Sequence, residues 1–184
     1  MARDTRERIL DTALVQFVAR GVEAVAVTDL EQGAGLKPGS GSFYRHFRSK
    51  ADVLSAVVTR EVDRAEERRE AMHPVGLVDE YTQSLRALDA MRPLVALLVR
   101  DGARLPHLDR IQAALAEGGV QLDAGRLQSL MAAGEVPERE DPVAVAAVVQ
   151  MALVGHHLAE QFFGASLAVD RERFVAALAA LVGR

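Results

Sequence analysis

The sequence predicts an all-α protein, and three observations support this prediction. Aromatic residues make up 4% of the 184 residues, so one common feature of strands is scarce. Apolar residues recur at intervals of three and four along most of the chain, which is the spacing of one face of an α-helix. A hydrophobic content of 49% is enough to build a core around such helices.

Cysteine is absent, which excludes disulfides, thiolate metal sites and cysteine nucleophiles. The N-terminus lacks the basic stretch and apolar core of a signal peptide. The longest apolar run, residues 143–154, is interrupted by Gln150 and is shorter than the roughly 20 apolar residues of a membrane span. We therefore expect a cytoplasmic protein with no membrane contact and no cofactor, in which this run is a buried helix.

The net charge of −4 is unevenly distributed along the chain. Residues 1–50 carry eight Lys and Arg residues and six acids, a net charge of +2, which leaves −6 for residues 51–184. A basic end on an acidic body orients a molecule toward a polyanion by that end. The charge pattern thus favours a nucleic-acid contact near the N-terminus.

Two helices are predicted at the start of the chain. The first runs from Asp4, whose carboxylate can cap it, to Gly21, a residue suited to the left-handed turn after a helix. One face of this helix is apolar and is expected to be core. A short second helix covers Val27–Ala34 and is closed by Gly35.

The next segment is predicted to be a turn between short helices. Leu36–Ser40 is rich in Pro and Gly, and a third short helix is expected over about Gly41–Phe47. Ser49 and Asp52 have the spacing of a helix cap. A longer helix should therefore begin there and end at His73-Pro74.

The remainder reads as longer helices separated by breakers. Asp141-Pro142 marks the clearest start, because aspartate caps helices and proline fits their first turn. About nine helices are predicted in total, in an N-terminal domain (residues 1–50, continuing into a connecting helix 50–72) and a helical domain (73–184). The later helices are expected over Leu77–Met91, Pro93–Arg104, Leu108–Gly118, Val120–Ala133, Asp141–Phe163 and Asp170–Val182.

Three short helical elements within the first 50 residues are the layout of a helix-turn-helix, whose second helix reads the major groove of DNA. Gly41–Lys50 has the sequence GSFYRHFRSK and is followed by Asp52 and Leu54. This segment resembles the motif of the TetR-type regulators. Upstream, Leu30 and the run Ala34-Gly35-Leu36 fall where that family has its preceding helix.

The resemblance extends over about residues 5–58 and implies both architecture and function. It implies a larger C-terminal domain that binds an effector and forms a homodimer, and a repressor that a small molecule releases from double-stranded operator DNA. An enzyme is not expected, because paired Glu-x-x-His spacings, a phosphate loop and a Gly-x-Ser-x-Gly elbow are all absent. The rival interpretation is a non-enzymatic helical interaction protein with a vestigial helix-turn-helix.

The sequence departs from the family pattern at two places. The turn Lys37–Ser40 is two residues longer than the common family form. Ala26 stands where a capping Ser or Thr is usual, and Thr28 with Glu31 is expected to supply the cap instead.

The residues expected to contact DNA follow from residue type within the motif. Hydroxyl groups near the start of the reading helix can hydrogen-bond bases, glycines let the backbone approach a phosphate, and cations bind phosphates. The alternative is that the cations are solvated charges and that Tyr44 is a core aromatic, as Phe43 and Phe47 are expected to be. The predicted DNA-binding residues are Thr28, Lys37, Pro38, Gly39, Ser40, Gly41, Ser42, Tyr44, Arg45, His46 and Lys50.

A homodimer interface is expected on the last two long helices, which would form a four-helix bundle with their symmetry mates. Small residues there would allow the helices to approach closely. The alternative is that these residues complete an intramolecular core. The predicted interface residues are Ala144, Ala147, Val148, Met151, Gly155, Leu158, Phe174, Leu178 and Leu181.

An effector pocket is expected between the helices of the C-terminal domain, for a hydrophobic or amphipathic molecule. Polar contacts could come from His107, His156, His157, Gln150 or Tyr81. The alternative is that the methionines are core filler. The predicted lining residues are Met91, Leu94, Leu98, Leu127, Met131, Met151 and Phe162.

No metal site is predicted. His156 and His157 are adjacent, so they point about 100° apart on a helix. Glu160 is the one acid at a chelating offset, four residues after His156.

Overall fold

The computed structural model describes residues 5–164 and 169–184, apart from the side chain of Ala103, and every regular element in this part is helical, as predicted. The predicted cap Asp4 lies outside the described residues. The helices are α1 (Thr5–Arg20), α2 (Val27–Gly33), α3 (Lys50–Glu70), α4 (Gly76–Ala90), α5 (Arg92–Asp101), α6 (Leu108–Gln112), α7 (Gly118–Ala132), α8 (Pro142–Gln161) and α9 (Arg171–Val182).

The chain divides into two compact units with boundaries that differ from the predicted ones. Unit 1 comprises Met1–Arg64 and Met91–Leu108, and unit 2 comprises Ala65–Ala90 and Asp109–Arg184. The sequence assigns helix α5 to the C-terminal domain, but α5 is part of unit 1. Arg100 of α5 explains this, because its guanidinium donates to the Val18 and Ala19 carbonyls at the end of α1, at 3.1 Å each.

Unit 1 has an aromatic and aliphatic core. Helix α1 buries the face that its spacing predicts, including Ile9 and Phe17. Leu30 of α2 is also fully buried. Phe43 and Phe47 are at most 3% exposed, which confirms that they are core residues. The core therefore includes side chains from both sides of the turn that follows α2.

Helix α2 is capped differently from the prediction. The Ala26 amide donates to the Asp29 carboxylate at 3.0 Å, so an acid inside the first turn caps the helix that Ala26 cannot cap. This hydrogen bond, with Arg20 nearby, lowers the pKa of Asp29. The predicted cap from Thr28 and Glu31 is wrong: Thr28 is exposed in the first turn and Glu31 is buried.

The third helix predicted over Gly41–Phe47 is also wrong in type. The structure has a single 3₁₀ turn there, Phe43–Arg45. Gly41 has φ +73°, a left-handed conformation that cannot belong to a right-handed helix. The predicted cap of α3 is confirmed, since the Asp52 amide donates to the Ser49 hydroxyl at 3.1 Å.

Unit 2 contains the C-terminal part of α3 and the helices α4, α6, α7, α8 and α9. Tyr81, Leu85, Leu153 and Val175 are among its most buried residues. The predicted helix starts at Asp141 and Asp170 are confirmed, because each carboxylate accepts an amide of the following turn, at 2.9 and 2.8 Å. The acid caps read from the sequence thus fix where α8 and α9 begin.

The predicted break at Gly118-Gly119 is wrong, because the chain stays helical from α6 to α7 through a wide π turn at Ala113–Glu117. Gln150 of α8 is 5% exposed and donates to the Leu115 carbonyl at 2.7 Å. A Cβ atom at Gly119 would lie 2.5 Å from the Gln150 amide, so glycine makes room for this contact. Gln150 thus satisfies a carbonyl of the wide turn.

Helix α8 is long and apolar enough to cross a membrane by length and composition, and among the described residues it alone passes that test. Core helices of water-soluble proteins pass the same test. One third of its most apolar window is buried within the chain. The expectation that this run is simply buried is therefore only partly met, and α8 keeps an exposed apolar face.

Lys50, the first residue of α3, binds three backbone carbonyls of the turn between α1 and α2. Its ammonium lies 2.9 Å from the Val22 oxygen, 3.3 Å from the Glu23 oxygen and 3.0 Å from the Val25 oxygen. An ammonium has three protons to donate, so one side chain can satisfy all three carbonyls. Lys50 therefore fastens the start of α3 to the α1–α2 turn.

We expect Lys50→Met to lower the free energy of unfolding by about 1–3 kcal/mol, because carbonyls in a half-buried turn lose their donor. Chemical denaturation of the full chain measures this change. Arg48→Met removes a neighbouring positive charge from a side chain that is 92% exposed, and is expected to change stability by about 0.5 kcal/mol or less. Equal effects of the two substitutions would contradict the role given to Lys50.

Candidate functional site

The predicted DNA-binding residues are mostly exposed on unit 1. Tyr44 is 60% exposed, and Arg45 and Thr28 are exposed as well. The four residues of the turn Lys37–Ser40 are all accessible, whereas Gly41, Ser42 and His46 are half-buried. Residues 37–46 thus form one segment that is accessible apart from the buried Phe43, and we call it the reading segment.

Two left-handed glycines shape the reading segment. Gly39 has φ +74° and Gly41 has φ +73°, values that side chains larger than glycine rarely adopt. Between them, the Ser40 hydroxyl lies 3.0 Å from the Ser42 hydroxyl. The Ser40 amide donates to the Lys37 carbonyl at 3.2 Å, which closes a tight turn. The segment therefore presents the hydroxyl groups of Ser40 and Ser42 on a backbone conformation that requires glycine at positions 39 and 41.

Tyr44 is held by its neighbour and still projects outward. Its ring meets the buried Phe43 ring edge to face, with the centroids 5.3 Å apart and the planes at 84°. Its exposure excludes the alternative that Tyr44 is a core aromatic. The ring is thus anchored at its base while its surface stays accessible to a partner.

Sequence reasoning missed Glu31 as a residue of this site. Glu31 is 2% exposed on α2, and its Oε2 accepts a hydrogen bond from the Gly39 amide at 2.7 Å. The sequence pattern assigns Glu31 to a helix cap instead. One feature of the sequence could have indicated burial of Glu31: it directly follows Leu30, the apolar residue that α2 buries.

Lys50 differs from the other predicted phosphate contacts. Its ammonium is held by three carbonyls within unit 1, which gives it a structural role. Lys37 and Arg45, in contrast, are accessible in the reading segment. Phosphate binding therefore remains a prediction for Lys37 and Arg45, whereas the structure gives the Lys50 ammonium other partners.

Comparison with known proteins identifies the motif. A sequence model described as bacterial regulatory proteins, tetR family, matches residues 9–57. Residues 9–57 are thus similar to the DNA-binding part of the TetR-family regulators. It is 42% identical over 57 residues to the HTH-type transcriptional regulator TtgW of Pseudomonas putida, a match that covers 31% of this chain and 41% of TtgW.

A longer match is with the HTH-type transcriptional regulator UidR of Escherichia coli. The two are 29% identical over 112 residues, which cover 58% of this chain and 56% of UidR. The chain thus spans about half the length of the curated relatives it matches. The Salmonella enterica GusR structure shares the fold, with a TM-score of 0.67 at 24% identity over 97% of this chain and 93% of GusR.

Unit 2 contains a small cavity that is partly open to solvent. Leu127, predicted to line an effector pocket, does line this cavity, and so does Tyr81, a predicted polar contact. The complete lining consists of Leu77, Glu80, Tyr81, Asp123, Leu127, Val145, Ala146, Val149 and Val182.

Two carboxyl groups give the cavity an acidic side. Glu80 is 4% exposed, and its Oε2 lies 2.9 Å from the Arg126 Nε. Burial raises the pKa of Glu80 to about 7, with the nearby Asp123 adding to the increase and Arg126 opposing it. Burial also raises the pKa of Asp123 to about 6, against the charge of Arg69. Both carboxyl groups therefore have a pKa close to neutral pH.

The other predicted pocket residues lie elsewhere. Met91 and Leu94 are buried in unit 1, to which Leu98 also belongs. Met131 packs against the core of unit 2, while Met151 is 51% exposed on α8. A shared lining of these residues remains a prediction.

The two histidines of α8 have structural partners. His156 stacks on Phe174 with the ring centroids 4.2 Å apart. His157 is 1% exposed, its Nδ1 lies 3.2 Å from the Asp89 carboxylate, and burial lowers its pKa. The Phe162 ring is 6.0 Å from His157. Within residues 5–164 and 169–184, no three His, Cys, Asp or Glu side chains are grouped to hold a metal ion.

The predicted dimer residues divide into an exposed and a buried group. Val148 is 68% exposed and Leu181 is 69% exposed, while Ala144 and Gly155 are exposed and Ala147 and Leu158 are half-buried. Leu178, in contrast, is 8% exposed in the core of unit 2. Phe174 is half-buried against His156.

This division corrects the expectation for α9. Leu178 and Phe174 complete the intramolecular core, because they lie on the face of α9 that also buries Val175 and Val182. Leu181, three residues after Leu178 at the edge of this face, is 69% exposed. Together with Val148 and Met151 of α8, it remains available to a partner.

We expect Glu80→Gln to change how the stability of the protein depends on pH. The folded-state pKa of Glu80 is raised, so the folded protein holds the Glu80 proton more tightly than the unfolded chain does. The contribution of this proton to the free energy of unfolding is complete below pH 4.5 and is lost as the pH rises through about 7. Relative to the wild type, the variant should gain on the order of 3 kcal/mol between pH 4.5 and 8. Denaturation midpoints across this range measure the difference.

Glu67→Gln, which replaces an exposed carboxyl group of α3, is the control for the substitution itself. A constant difference for Glu80→Gln would contradict the raised pKa. Taking differences cancels the opposite contribution of His157, whose pKa burial lowers.

Proposed function

We propose that this protein is a DNA-binding transcriptional regulator that acts as a homodimer, a repressor that a small-molecule effector releases from its operator. The observation that carries the proposal is the accessible reading segment, residues 37–46, within the part of the chain that matches the TetR family. The sign of regulation follows the family resemblance.

The chemistry of the reading segment suits DNA. Lys37 and Arg45 are accessible cations that can bind phosphates, and the Gly39 backbone is open to close approach. Ser42 and Tyr44 offer hydroxyl groups for base edges in the major groove. Contacts of both kinds occur together in proteins that bind a particular sequence, because phosphates position the protein and bases select the site.

A second copy of this chain is the partner that we propose for the exposed face of α8 and α9. Val148, Met151 and Gly155 are spaced by three and four residues and therefore share one face of α8. An exposed apolar face of this kind is typical of an interface. A two-fold dimer would present two reading segments to half-sites about 34 Å or a multiple apart.

The cavity of unit 2 is the proposed effector site. Its apolar lining with a few polar groups at one side suits a hydrophobic or amphipathic molecule. The cavity is far smaller than the roughly 300–1,000 Å³ typical of ligand sites, so an effector would bind a more open state and shift the population toward that state. A regulator of this kind is non-enzymatic and works in the cytoplasm, beside the chromosome.

We expect sequence-selective DNA binding that weakens steeply as salt concentration rises. Duplexes selected from a random library by the wild-type protein are the probe. Arg45→Ala should reduce the slope of log affinity against log salt by roughly 0.9 per protomer, because one phosphate contact is lost. Tyr44→Ala should lower selectivity and leave the slope unchanged. Fluorescence anisotropy across a salt series measures both quantities.

Arg68→Ala is the control, because Arg68 is an exposed cation on the unit 2 part of α3 and should affect neither slope nor selectivity. Binding to random DNA alone, with no sequence enriched, would contradict the proposal. It would favour a helical interaction protein with a vestigial helix-turn-helix.

We expect the wild-type protein to sediment at twice the chain mass of 19.9 kDa, and Val148→Glu to sediment as a monomer. A carboxylate buried at the centre of an apolar interface is strongly unfavourable without a partner. Val75→Glu is the matched control, since Val75 is 87% exposed and lies outside α8 and α9. A Val148→Glu variant that still sediments as a dimer would place the interface elsewhere.

A further inference from the structure

A single buried carboxylate ties the reading segment to α2. Glu31 accepts the Gly39 amide at 2.7 Å, and the two residues are eight positions apart, so their hydrogen bond spans the turn after α2. This turn is where the sequence is two residues longer than the common family form. The longer turn is thus joined to α2 by the hydrogen bond from the Gly39 amide to the Glu31 carboxylate.

Burial makes this bond strong. Glu31 is 2% exposed, and its neighbours Leu30 and Ala34 are 0% and 3% exposed. Its Oε1 is buried and accepts no hydrogen bond from the described residues. A buried carboxylate is unfavourable unless it is hydrogen-bonded, and a bond from an amide to a charged acceptor is stronger than one between neutral groups. The Gly39 amide is therefore the hydrogen-bond donor on which the position of this carboxylate depends.

Packing gives the turn little other support. Gly39 and Gly41 are both left-handed, and a Cβ atom built on either would have no neighbouring atom within 4 Å. The hydroxyls of Ser40 and Ser42 bond to each other, and Ser42 precedes Phe43, whose ring is anchored in the core, so the end of the turn is held there. The bond from the Gly39 amide to Glu31 holds the turn on the other side of Ser40.

We propose that Glu31 is a positioning residue that sets the DNA sequence preference of this protein without contacting DNA. By holding the Gly39 amide, it fixes the position of the adjacent Ser40 and, through the hydroxyl contact, the orientation of the Ser42 side chain. This inference rests on the proposed DNA-binding function. Phosphate contacts tolerate movement because a charge attracts from many directions, whereas hydrogen bonds to base edges need fixed geometry. Loss of the anchor should therefore reduce selectivity more than general affinity for DNA.

The test compares full-length wild type, Glu31→Ala and Glu31→Gln on two duplexes, one selected from a random library by the wild type and one with the same bases scrambled. Glu31→Ala should bind the selected duplex about 10-fold more weakly and the scrambled duplex unchanged, which corresponds to about 1.4 kcal/mol. Glu31→Gln keeps an oxygen that can accept the Gly39 amide and should retain the wild-type ratio within about 3-fold.

Gln16→Ala is the matched control for lost stability. Gln16 donates to the Asp29 carbonyl at 3.1 Å, so this substitution also removes a hydrogen bond to α2 but leaves the turn untouched. It should lower the denaturation midpoint without changing the ratio of the two affinities. A selection repeated with Glu31→Ala should recover altered bases at the positions read by Ser40 and Ser42.

The outcomes separate the two proposals. If the wild type enriches no sequence, the proposed function fails and the role of Glu31 fails with it. If the wild type enriches a sequence and Glu31→Ala keeps the same affinity ratio, the role of Glu31 alone is overturned. Should Glu31→Ala not fold, Glu31→Asp replaces it, because the shorter side chain withdraws the carboxylate by one methylene and should lower the ratio likewise.

Discussion

Backbone groups that the helices leave unpaired determine how this chain is held together. Helix ends and irregular turns expose carbonyls and amides that need partners when they are buried. Long polar side chains from distant parts of the sequence supply these partners. Lys50 binds the carbonyls of the α1–α2 turn, Arg100 binds the end of α1, Gln150 binds the wide turn before α7, and Glu31 binds the Gly39 amide.

The same constraint shapes the proposed DNA interface. Lys50 and Glu31 both bind backbone groups of unit 1 and hold the two turns on either side of α2. With these turns fixed, Tyr44 and Arg45 are left exposed on a short 3₁₀ turn whose first residue, Phe43, is anchored in the core. Charged residues of the motif thus fall into two groups: Lys50 and Glu31 bind backbone groups of unit 1, whereas Arg45 is exposed at the surface.

Unit 2 also has charged groups at the border of its apolar core. Glu80 and Asp123 border a cavity, and burial raises the pKa of both carboxyl groups toward neutrality. Arg171 bridges Asp89 and Glu160 at the start of α9. The apolar face of α8 that the cavity and core leave uncovered is available for a second copy of the chain.

Residues close together in the chain were enough to establish the helical fold, the acid caps at Asp141 and Asp170, the core role of Phe43, and the family motif. The core position of Leu178 and the backbone partners of Lys50 and Glu31 emerged only once the chain was folded. These assignments depend on residues brought together from distant positions or on which helix face a neighbour covers. Local spacing carries no information about either, since it does not show what packs against a helix.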